Sequence, residues 1–287
     1  MSRISESQHI RVAFQGETEA FSEQAARAYF TQTIRTIPCA TFAGVFHLVR
    51  RGSSLYGVIP IENSVFGSIH ENYDLLRASN LFISGELKLR IVHALLVNSS
   101  VSLRDIRTVY SHPQALGQCD RFLESLHNVE RIALYDTAGA ARMIKEQRRT
   151  DAAAIASVEA ARHYGLKVLR KGIETNRRNF TRFLILNKAK TACGKNAKTS
   201  VIFSVKNRPG SLHKALGIFA DHRINLFKIE SRPLIGKPWE YLFYLDFEGS
   251  ETDIACSQAL KELGRMSTYL KLLGSYPQGK TIMRTSS

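Results

Sequence analysis

One short polar stretch, residues 179–183 (NFTRF), runs directly into an apolar segment, residues 184–186 (LIL). A polar cluster that continues as a buried strand can hold a reactive side chain on a rigid element at the rim of a pocket. The hydroxyl of Thr181 is the candidate reactive group. The same pattern is also typical of a solvated strand edge, so the assignment depends on which other segments reach the same place.

Polar side chains also stand at the ends of other predicted strands. They are Glu62, Asn63 and Ser64 after the apolar residues 56–61, Ser111, His112 and Gln114 at the end of the strand that begins at Thr108, and Thr137 with Ala138 after residues 131–135. Ser22 lies in the first turn of the helix that follows the strand at residues 11–15. Ligands of open α/β sheets bind beyond the carboxyl ends of strands and at helix N-termini. These groups are therefore candidates for one pocket.

Composition excludes several classes of protein. The chain has 287 residues, 40 Lys and Arg against 25 Asp and Glu, and a net charge of +15. The charge is spread along the chain without a zinc-finger spacing or an RNA-binding aromatic signature, which favours a small anionic ligand over nucleic acid. Four distant cysteines fit no metal spacing and indicate reduced thiols. The N-terminus lacks the apolar core of a signal peptide, and no segment reaches the ~18 apolar residues of a membrane helix. We therefore expect a cytoplasmic protein that binds neither nucleic acid nor a membrane.

Alternating strands and helices over residues 10–188 predict an α/β domain with two lobes, similar to periplasmic binding proteins. Lobe one covers about residues 10–92 and 174–188, and lobe two covers about residues 93–173, with crossings near His93 and Ile173. Thr18 is expected to cap the first helix, residues 87–97 to form one strand, and Gln114 to begin a helix that ends near Leu126. The second crossing returns the chain to lobe one and predicts that Thr181 lies at the cleft between the lobes.

A different pattern follows a linker at residues 189–198 that is rich in Lys, Ala, Gly and Asn. Residues 198–280 show the order βαββαβ of a ferredoxin-like domain. The exposed sheet edges of such domains commonly pair with a second copy. We therefore expect a separate C-terminal domain and a homodimer or homotetramer.

Motifs in order along nearly the whole chain resemble the prephenate dehydratase family. They are Gly16 with Phe21-Ser22 and Ala25-Ala26, then residues 60–64 (PIENS), 111–116 (SHPQAL), Thr137-Ala138 with Ala140-Ala141, residues 164–166 (YGL) and 179–183 (NFTRF). The C-terminal domain resembles the ACT regulatory domain at residues 207–212 (NRPGSL) and 230–233 (ESRP). Each motif alone is weak, but their order and spacing make the resemblance specific.

The resemblance implies a carbon–oxygen lyase that removes water and CO2 from prephenate to give phenylpyruvate, on the route to phenylalanine, with no cofactor and no metal. In this family the threonine of the Thr-Arg-Phe triplet is tied to activity, which assigns that role to Thr181. An alkyl hydroxyl is too weakly acidic to give up its proton outright. Thr181 is therefore expected to donate a hydrogen bond to the leaving oxygen, alone or as a relay from Glu62 or His112.

The remaining polar groups of the resemblance are substrate-binding candidates. They are Ser22, Asn63, Ser64, Ser111, Gln114, Thr137, Ala138, Arg182 and Phe183. Arg182 pairs with a substrate carboxylate or forms a structural salt bridge. One departure from the family pattern lies just upstream, where residues 173–175 read Ile-Glu-Thr and not Ile-Gln-Asp. It places an acid one position earlier and leaves the role of a family aspartate open.

The resemblance also implies feedback inhibition by phenylalanine, bound where two regulatory domains pair. The effector-binding candidates are Asn207, Pro209, Gly210, Ser211, Leu212, Glu230, Ser231, Arg232 and Pro233. Ser211 stands where alanine is usual, a small change that is not expected to abolish binding.

Two alternative functions remain open, besides a weaker third: an anion-binding or nucleic-acid-binding role suggested by the net charge of +15, which salt-dependent retention on DNA would support. Arogenate carries an amino group where prephenate carries a keto group, and the same chemistry on arogenate gives phenylalanine directly. The chain could instead be a non-catalytic amino-acid sensor built from a binding cleft and a ligand-binding domain. Thr181 is the discriminating residue, because a sensor does not require a hydroxyl aimed into the cleft.

Overall fold

The computed structural model describes residues 9–191, 193–194, 196–234 and 236–283. The N-terminal segment at residues 1–8 and part of the predicted linker, residues 192 and 195, lie outside the described residues. The chain forms two compact units. The first comprises the described residues of Met1–Asn72, Leu87–Phe183 and Thr281–Ser287, and the second those of Tyr73–Glu86 and Leu184–Lys280.

The first sheet is built mainly from the N-terminal part of the chain. Its strands, with the helices between them, are β1 (Ile10–Gln15), α1 (Phe21–Tyr29), β2 (Ile34–Cys39), α2 (Phe42–Arg51), β3 (Tyr56–Asn63), β4 (Gly67–Ser68), α3 (His70–Ala78) and β5 (Phe82–Arg90), later joined by β11 (Phe180–Asn187) and β16 (Lys280–Ile282). The strand order is β16-β5-β11-β3-β1-β2, with β4 paired to β3. β1 runs parallel to both β2 and β3, so the carboxyl ends of these strands meet at one edge.

The second sheet belongs to lobe two of the first unit. Its elements are β6 (Ala94–Val97), a 3-10 turn (Leu103–Asp105), β7 (Thr108–Ser111), α4 (Pro113–Gln118), α5 (Asp120–Glu124), β8 (Glu130–Ala133), α6 (Thr137–Glu146), β9 (Ala152–Ala156), α7 (Val158–Tyr164) and β10 (Lys167–Lys171). The strand order is β10-β6-β9-β7-β8. Strand β9 consists of alanine and isoleucine alone and is fully buried. Helix α6 packs closely on it, because Ala140 and Ala141 face the strand with only methyl groups.

Residues 16–19, most of the connection from β1 to α1, contact lobe two. Tyr135 donates from its hydroxyl to Glu17 Oε1 at 2.8 Å, and Tyr164 donates to the carbonyl of Thr18 at 3.3 Å. The Ser157 hydroxyl donates to the carbonyl of Glu19 at 3.3 Å. We call residues 16–19 the bridging loop, since three of its carbonyl or carboxylate groups accept bonds from the opposite lobe.

The second unit contains a four-stranded antiparallel sheet and two helices. Its elements are β12 (Ala197–Ser204), α8 (Ser211–Asp221), β13 (Leu226–Pro233), β14 (Tyr241–Glu248), α9 (Ile254–Met266) and β15 (Tyr269–Pro277). The strand order is β13-β14-β12-β15, which confirms the predicted ferredoxin-like βαββαβ arrangement. Its core lies between the sheet and the helices, where Phe203, Phe219 and Phe247 are fully buried.

The second unit also includes residues 73–86, which the chain reaches more than a hundred residues before β12. Arg232 pairs with Asp74 at 2.8 Å, and the Tyr244 hydroxyl donates to the carbonyl of Tyr73 at 2.8 Å. Lys198 and Glu86 form an ion pair of 2.7 Å in which both side chains are nearly inaccessible. Helix α3 therefore begins among residues of the first unit and ends among residues of the second.

Three expectations about individual elements are wrong. Ala20 and not Thr18 precedes the first helix, so α1 begins without a side-chain cap. Residues 87–97 do not form one strand, because β5 begins earlier, at Phe82, and ends at Arg90 before β6 starts at Ala94. The helix expected from Gln114 to Leu126 is interrupted at Cys119 and forms two short helices, α4 and α5.

Candidate active site

The candidate site is a cleft of about 410 Å³ within the first unit, between its two lobes. This volume lies in the ~300–1,000 Å³ range of small-molecule sites. Seven of the predicted site residues line it: Ser22, Asn63, His112, Gln114, Thr137, Thr181 and Phe183. They come from strand ends and helix starts of both lobes, as the α/β pattern predicts.

Thr181 lies near the start of β11, is 8% exposed, and has its hydrogen-bonding role set by Asn63. The Asn63 carboxamide oxygen accepts from the backbone N–H groups of Val65 and Phe66 at 2.9 and 3.0 Å. Backbone N–H groups can only donate, so the Asn63 amide nitrogen must point the other way. That nitrogen donates to Thr181 Oγ1 at 3.0 Å and to Asn179 Oδ1 at 2.8 Å. Thr181 therefore acts as an acceptor toward the protein, and its own hydrogen is left to donate.

A buried histidine and a glutamine extend this network. Gln118 donates from its amide nitrogen to the carboxamide oxygens of Asn63 and Asn179, both at 3.4 Å. Its Oε1 lies 2.6 Å from His93 Nε2. His93 is 2% exposed, and burial lowers the pKa of its imidazole to about 4, against the opposing effect of the Gln118 hydrogen bond. The ring is therefore neutral at physiological pH.

His112 is the second histidine at the cleft. It caps α4, accepting the backbone N–H of Gln114 on Nδ1 at 3.2 Å. Since Nδ1 is an acceptor, the neutral ring carries its proton on Nε2. Burial lowers the pKa of this imidazole below its usual range, which reduces the population of imidazolium available as an acid at neutral pH.

Five predicted site residues do not line the cleft. Glu62 and Arg182 form an ion pair of 3.3 Å, which is the structural salt bridge that the sequence allowed for Arg182. Ser111 is fully buried and donates to the carbonyl of Ile155 at 2.6 Å. Ser64 accepts from the backbone N–H of Phe180 and donates to the carbonyl of Arg178, both at 2.9 Å, so its side chain fixes the strand crossing. Ala138 is buried in the first turn of α6.

The cleft is lined by neutral donors and two carboxylates. Among the described residues that line it, there is no Lys or Arg, while Glu71 and Asp136 are present. Asp136 caps α6 by accepting the N–H of Gly139 at 2.8 Å, and burial raises the pKa of its carboxyl. The starts of α1, α2 and α6 all reach the cleft, through Ser22, Phe42 and Thr137. The N–H groups at these helix starts can bind an anion where no side-chain cation is present.

Three residues of the network were missed as site residues: His93, Gln118 and Asn179. His93 is the one polar residue between apolar residues 91–92 and 94–97, an interruption that could have marked it. Gln118 lies four positions after Gln114, on the same face of a helix. Asn179 belongs to the stretch that contains Thr181, but its role depends on a contact with Asn63, which lies 116 residues earlier.

No group of three or more metal-binding side chains is found among the residues that the structure describes. No described helix is long and apolar enough to cross a membrane. The fold and the cleft define a class of protein: a two-lobed α/β unit, of the periplasmic-binding-protein type, that presents a positioned hydroxyl, with a ferredoxin-like unit on the same chain.

Comparison with known proteins identifies the family. The prephenate dehydratase family model matches residues 12–191, and the ACT domain model matches residues 199–265. Arogenate dehydratase/prephenate dehydratase 2 of Arabidopsis thaliana, a chloroplastic protein, is 45% identical over 98% of this chain and 76% of its own length. The chain therefore belongs to the prephenate dehydratase family, and it is a dehydratase, a carbon–oxygen lyase, with a C-terminal ACT domain.

Two solved structures are similar over nearly the whole chain. The prephenate dehydratase of Arthrobacter aurescens in complex with L-Phe has a TM-score of 0.84 and 30% identity, over 93% of this chain and 90% of that one. A protein described as GqqA, a novel type of quorum quenching acylase, also has a TM-score of 0.84, with 35% identity over 93% of this chain and 98% of that one. Both proteins thus share the fold of this chain over nearly its whole length.

Proposed function

We propose that the chain converts prephenate to phenylpyruvate, with Thr181 as the residue that assists loss of the hydroxyl group. The observation that carries the proposal is the direction of the hydrogen bond between Asn63 and Thr181. Because Thr181 Oγ1 accepts from Asn63 at 3.0 Å, its hydrogen is available to a leaving oxygen in the cleft. A hydroxyl positioned in this way stabilises the negative charge that develops on that oxygen.

The reaction balances without a redox step. The bond between the ring and its carboxylate breaks and releases CO2, its electron pair enters the ring, and the C4–oxygen bond breaks as the ring becomes aromatic. The departing oxygen takes up one proton and leaves as water. Thr181 donates a hydrogen bond to this oxygen and is not itself the net source of the proton, since an alkyl hydroxyl is too weak an acid.

Neither proposed acid is within hydrogen-bonding distance of Thr181 in the free protein. Glu62 pairs with Arg182 away from the cleft, whereas His112 lines the cleft with its Nε2–H as a donor. His112 is therefore the better supported of the two as a second donor to the substrate. Ser22, Gln114 and Thr137 are the best supported groups for the substrate's carboxylates, because they stand at helix starts in the cleft.

The test is turnover of prephenate at neutral pH, followed as phenylpyruvate formation. Thr181→Ala should lower kcat by about 10²–10³-fold, the usual loss on removing one donor to a developing oxyanion. Thr181→Ser, which keeps the hydroxyl, should recover at least tenfold of that loss. Thr175→Ala is the matched control, because Thr175 is exposed and contacts the site only through its backbone. A Thr181→Ala variant that stays folded and retains its rate would show the mechanism to be wrong.

Arogenate is the alternative substrate, and one observation favours it. The cleft is lined by the carboxylates of Glu71 and Asp136 and by no described cation, an arrangement that suits the ammonium group that arogenate has and prephenate lacks. The Arabidopsis relative is named for both activities. Measuring kcat/KM for both substrates on the same preparation decides between them.

We further propose that phenylalanine binds the ACT domain and inhibits the enzyme. The candidate residues lie in the turn before α8, at the start of α8 and in strand β13, and Asn207 of the turn donates to the carbonyl of Trp239 at 3.1 Å. Asn207→Ala should raise the phenylalanine concentration for half-inhibition by about tenfold, the loss of one good hydrogen bond. Lys214 is exposed on α8, and Lys214→Ala should leave the phenylalanine concentration for half-inhibition unchanged. Wild-type enzyme that phenylalanine does not slow would contradict this proposal.

The ACT sheet also supports the proposed homodimer or homotetramer. Strand β13 is an edge strand that pairs only with β14 among the described strands. It exposes Phe227 and Ile229, each by about two-fifths. An apolar edge strand is a ready surface for pairing with a second copy. Light scattering coupled to size-exclusion chromatography should give a mass of two or four chains.

A cytoplasmic location remains part of the proposal. It is supported by the four cysteines, none of which forms a disulfide with another. Thiols that stay reduced are typical of proteins in reducing compartments. Fractionation of the source cells with an antibody to the protein tests it.

A further inference from the structure

His93 holds one end of the amide network that reaches Thr181. Gln118 uses both amide hydrogens on Asn63 and Asn179, and Asn63 uses both of its own on Asn179 and Thr181. Every amide hydrogen of these two side chains thus points toward Thr181 or toward an oxygen that accepts it. The direction of donation is fixed at the Asn63 end by two backbone N–H groups.

At the other end the direction is fixed only if His93 donates. Gln118 Oε1 is an acceptor, and it lies 2.6 Å from His93 Nε2, so this nitrogen must carry the proton. If the proton were on Nδ1, Nε2 would attract the Gln118 amide nitrogen and the carboxamide would rotate. Gln118 Oε1 would then face the oxygens of Asn63 and Asn179, and three acceptors would be left together in a buried site.

We propose that His93 is a positioning residue: its Nε2–H orients Gln118 and, through Gln118, the carboxamides that keep Thr181 Oγ1 an acceptor and its hydrogen free to donate into the cleft. The role rests on the proposed function for Thr181. His93 itself lines the cleft, but its proposed effect on catalysis is indirect, through the orientation of the Gln118 carboxamide.

Histidine suits this position because it combines a single neutral donor with an aromatic ring. The ring contacts Phe21 edge to face, with centroids 5.4 Å apart and planes at 87°. The neutral ring supplies this donor without burying a charge, which is costly, beside the buried Glu174 side chain that accepts the backbone N–H of His93 at 3.0 Å. The remaining nitrogen, Nδ1, is buried with no hydrogen-bond partner among the described residues. An unprotonated Nδ1 at this place agrees with a neutral ring that carries its proton on Nε2.

Two variants test the role by kinetics. His93→Phe keeps an aromatic ring beside Phe21 but removes the donor, and should lower kcat by about 10–100-fold with KM changed less than threefold, because the loss falls on the transition state. His93→Gln restores an N–H donor and should recover at least fivefold of the loss in kcat. His47→Phe, at an exposed position of α2, is the control and should match wild type.

A double-mutant cycle separates positioning from a general structural effect. In a Gln118→Met background the acceptor of the His93 proton is gone, so adding His93→Phe should change kcat by less than about twofold. If His93→Phe has its full effect in that background, the positioning role is wrong.

A spectroscopic measurement keeps the inference testable when the substitutions fail to fold. Long-range proton–nitrogen NMR spectra of protein labelled with ¹⁵N-histidine should show His93 as the neutral Nε2–H tautomer from pH 5 to pH 8. The Nδ1–H tautomer or an imidazolium in this range would overturn the inference. The NMR result does not depend on turnover. Failure of the proposed function is a different result, in which wild-type protein forms no product from prephenate or from arogenate.

Discussion

His93 is a titratable group in the interior, and its burial links the stability of the fold to pH. The pKa of the folded-state imidazole is about 4, below the ordinary value of 6.5. Between these two values the unfolded chain binds more protons than the folded chain, so acid favours unfolding. The contribution of the neutral ring is complete above pH 6.5 and is lost as the pH falls toward 4.

This link makes the stability of the folded chain depend on pH. The free energy of unfolding should fall by about 3 kcal/mol between pH 6.5 and 4 because of this one group. Urea denaturation at several pH values measures it. The His93→Phe variant should lose that part of the pH dependence, and an identical slope in the variant would contradict the assignment.

Single residues also show where the sequence was informative about the site and where it was not. The rule that polar side chains at strand ends face the ligand predicts Asn63, His112 and Gln114 for one pocket, and these three residues line the cleft. The same rule included Ser111 and Glu62, whose side chains turn to a backbone carbonyl and to Arg182. Two residues with the same place in the pattern differ only in which way the side chain points. The direction of a side chain depends on neighbours from distant segments, so it cannot be predicted from the local sequence pattern.

At the scale of elements, the bridging loop connects the lobes under conformational constraint. Gly16 has φ of +115°, and a Cβ there would lie 2.8 Å from Asp136 Oδ2 and 2.9 Å from the Ala20 side chain. A side chain at this position is therefore disfavoured both by the backbone and by the space available. Gly52, the C-cap of α2, has φ of +78° but no atoms within 4 Å of a built Cβ.

The two glycines form a matched pair for a second prediction. Gly52→Ala should lower the free energy of unfolding by roughly 1 kcal/mol, the cost of the left-handed conformation alone. Gly16→Ala should lower it by roughly 3 kcal/mol, since overpacking is added, and should raise KM because the loop lies beside the cleft. Chemical denaturation and steady-state kinetics of both variants measure the difference. Equal losses would mean that the bridging loop shifts freely.

Some helix starts have a strong local signal in the sequence. Thr41 and Asp136 each precede a helix, and each side chain accepts from a backbone N–H three residues later. The break between β5 and β6 was not predicted, because residues 91–97 remain apolar around His93. The hydrophobic pattern of a strand is the same whether or not the chain passes from one lobe to the other. The interruption at Cys119 was missed for the same reason, since a helix that bends between two turns keeps its apolar spacing.

For the whole molecule, the decisive feature is that neither unit is one continuous segment. Residues 73–86 belong to the second unit, and the ion pair between Glu86 and Lys198 lies in its interior. Burying a charged pair is tolerated only while both partners are present. Reading the chain in order predicts a division at the linker near residue 190, because contacts across more than a hundred residues leave no local pattern.

The third prediction concerns this ion pair. Glu86→Gln should lower the free energy of unfolding by about 3–5 kcal/mol, since it leaves Lys198 charged and buried. The double substitution Glu86→Gln with Lys198→Met should recover most of that loss. Lys190→Met provides the control, because Lys190 pairs with Glu251 at 2.8 Å on the surface and such pairs contribute less than about 1 kcal/mol. A loss of similar size in both single variants would show that burial of the Glu86 pair is unimportant.

The early segment of the second unit, residues 73–86, also has a consequence for synthesis on the ribosome. Glu86 is made 112 residues before its partner Lys198. At about 5–20 residues per second, that interval is on the order of 5–20 s, during which the acid has no lysine to pair with. Tyr73 and Asp74 wait longer still for Tyr244 and Arg232. The contacts of residues 73–86 within the second unit can therefore form only after the carboxy-terminal sheet has emerged from the ribosome.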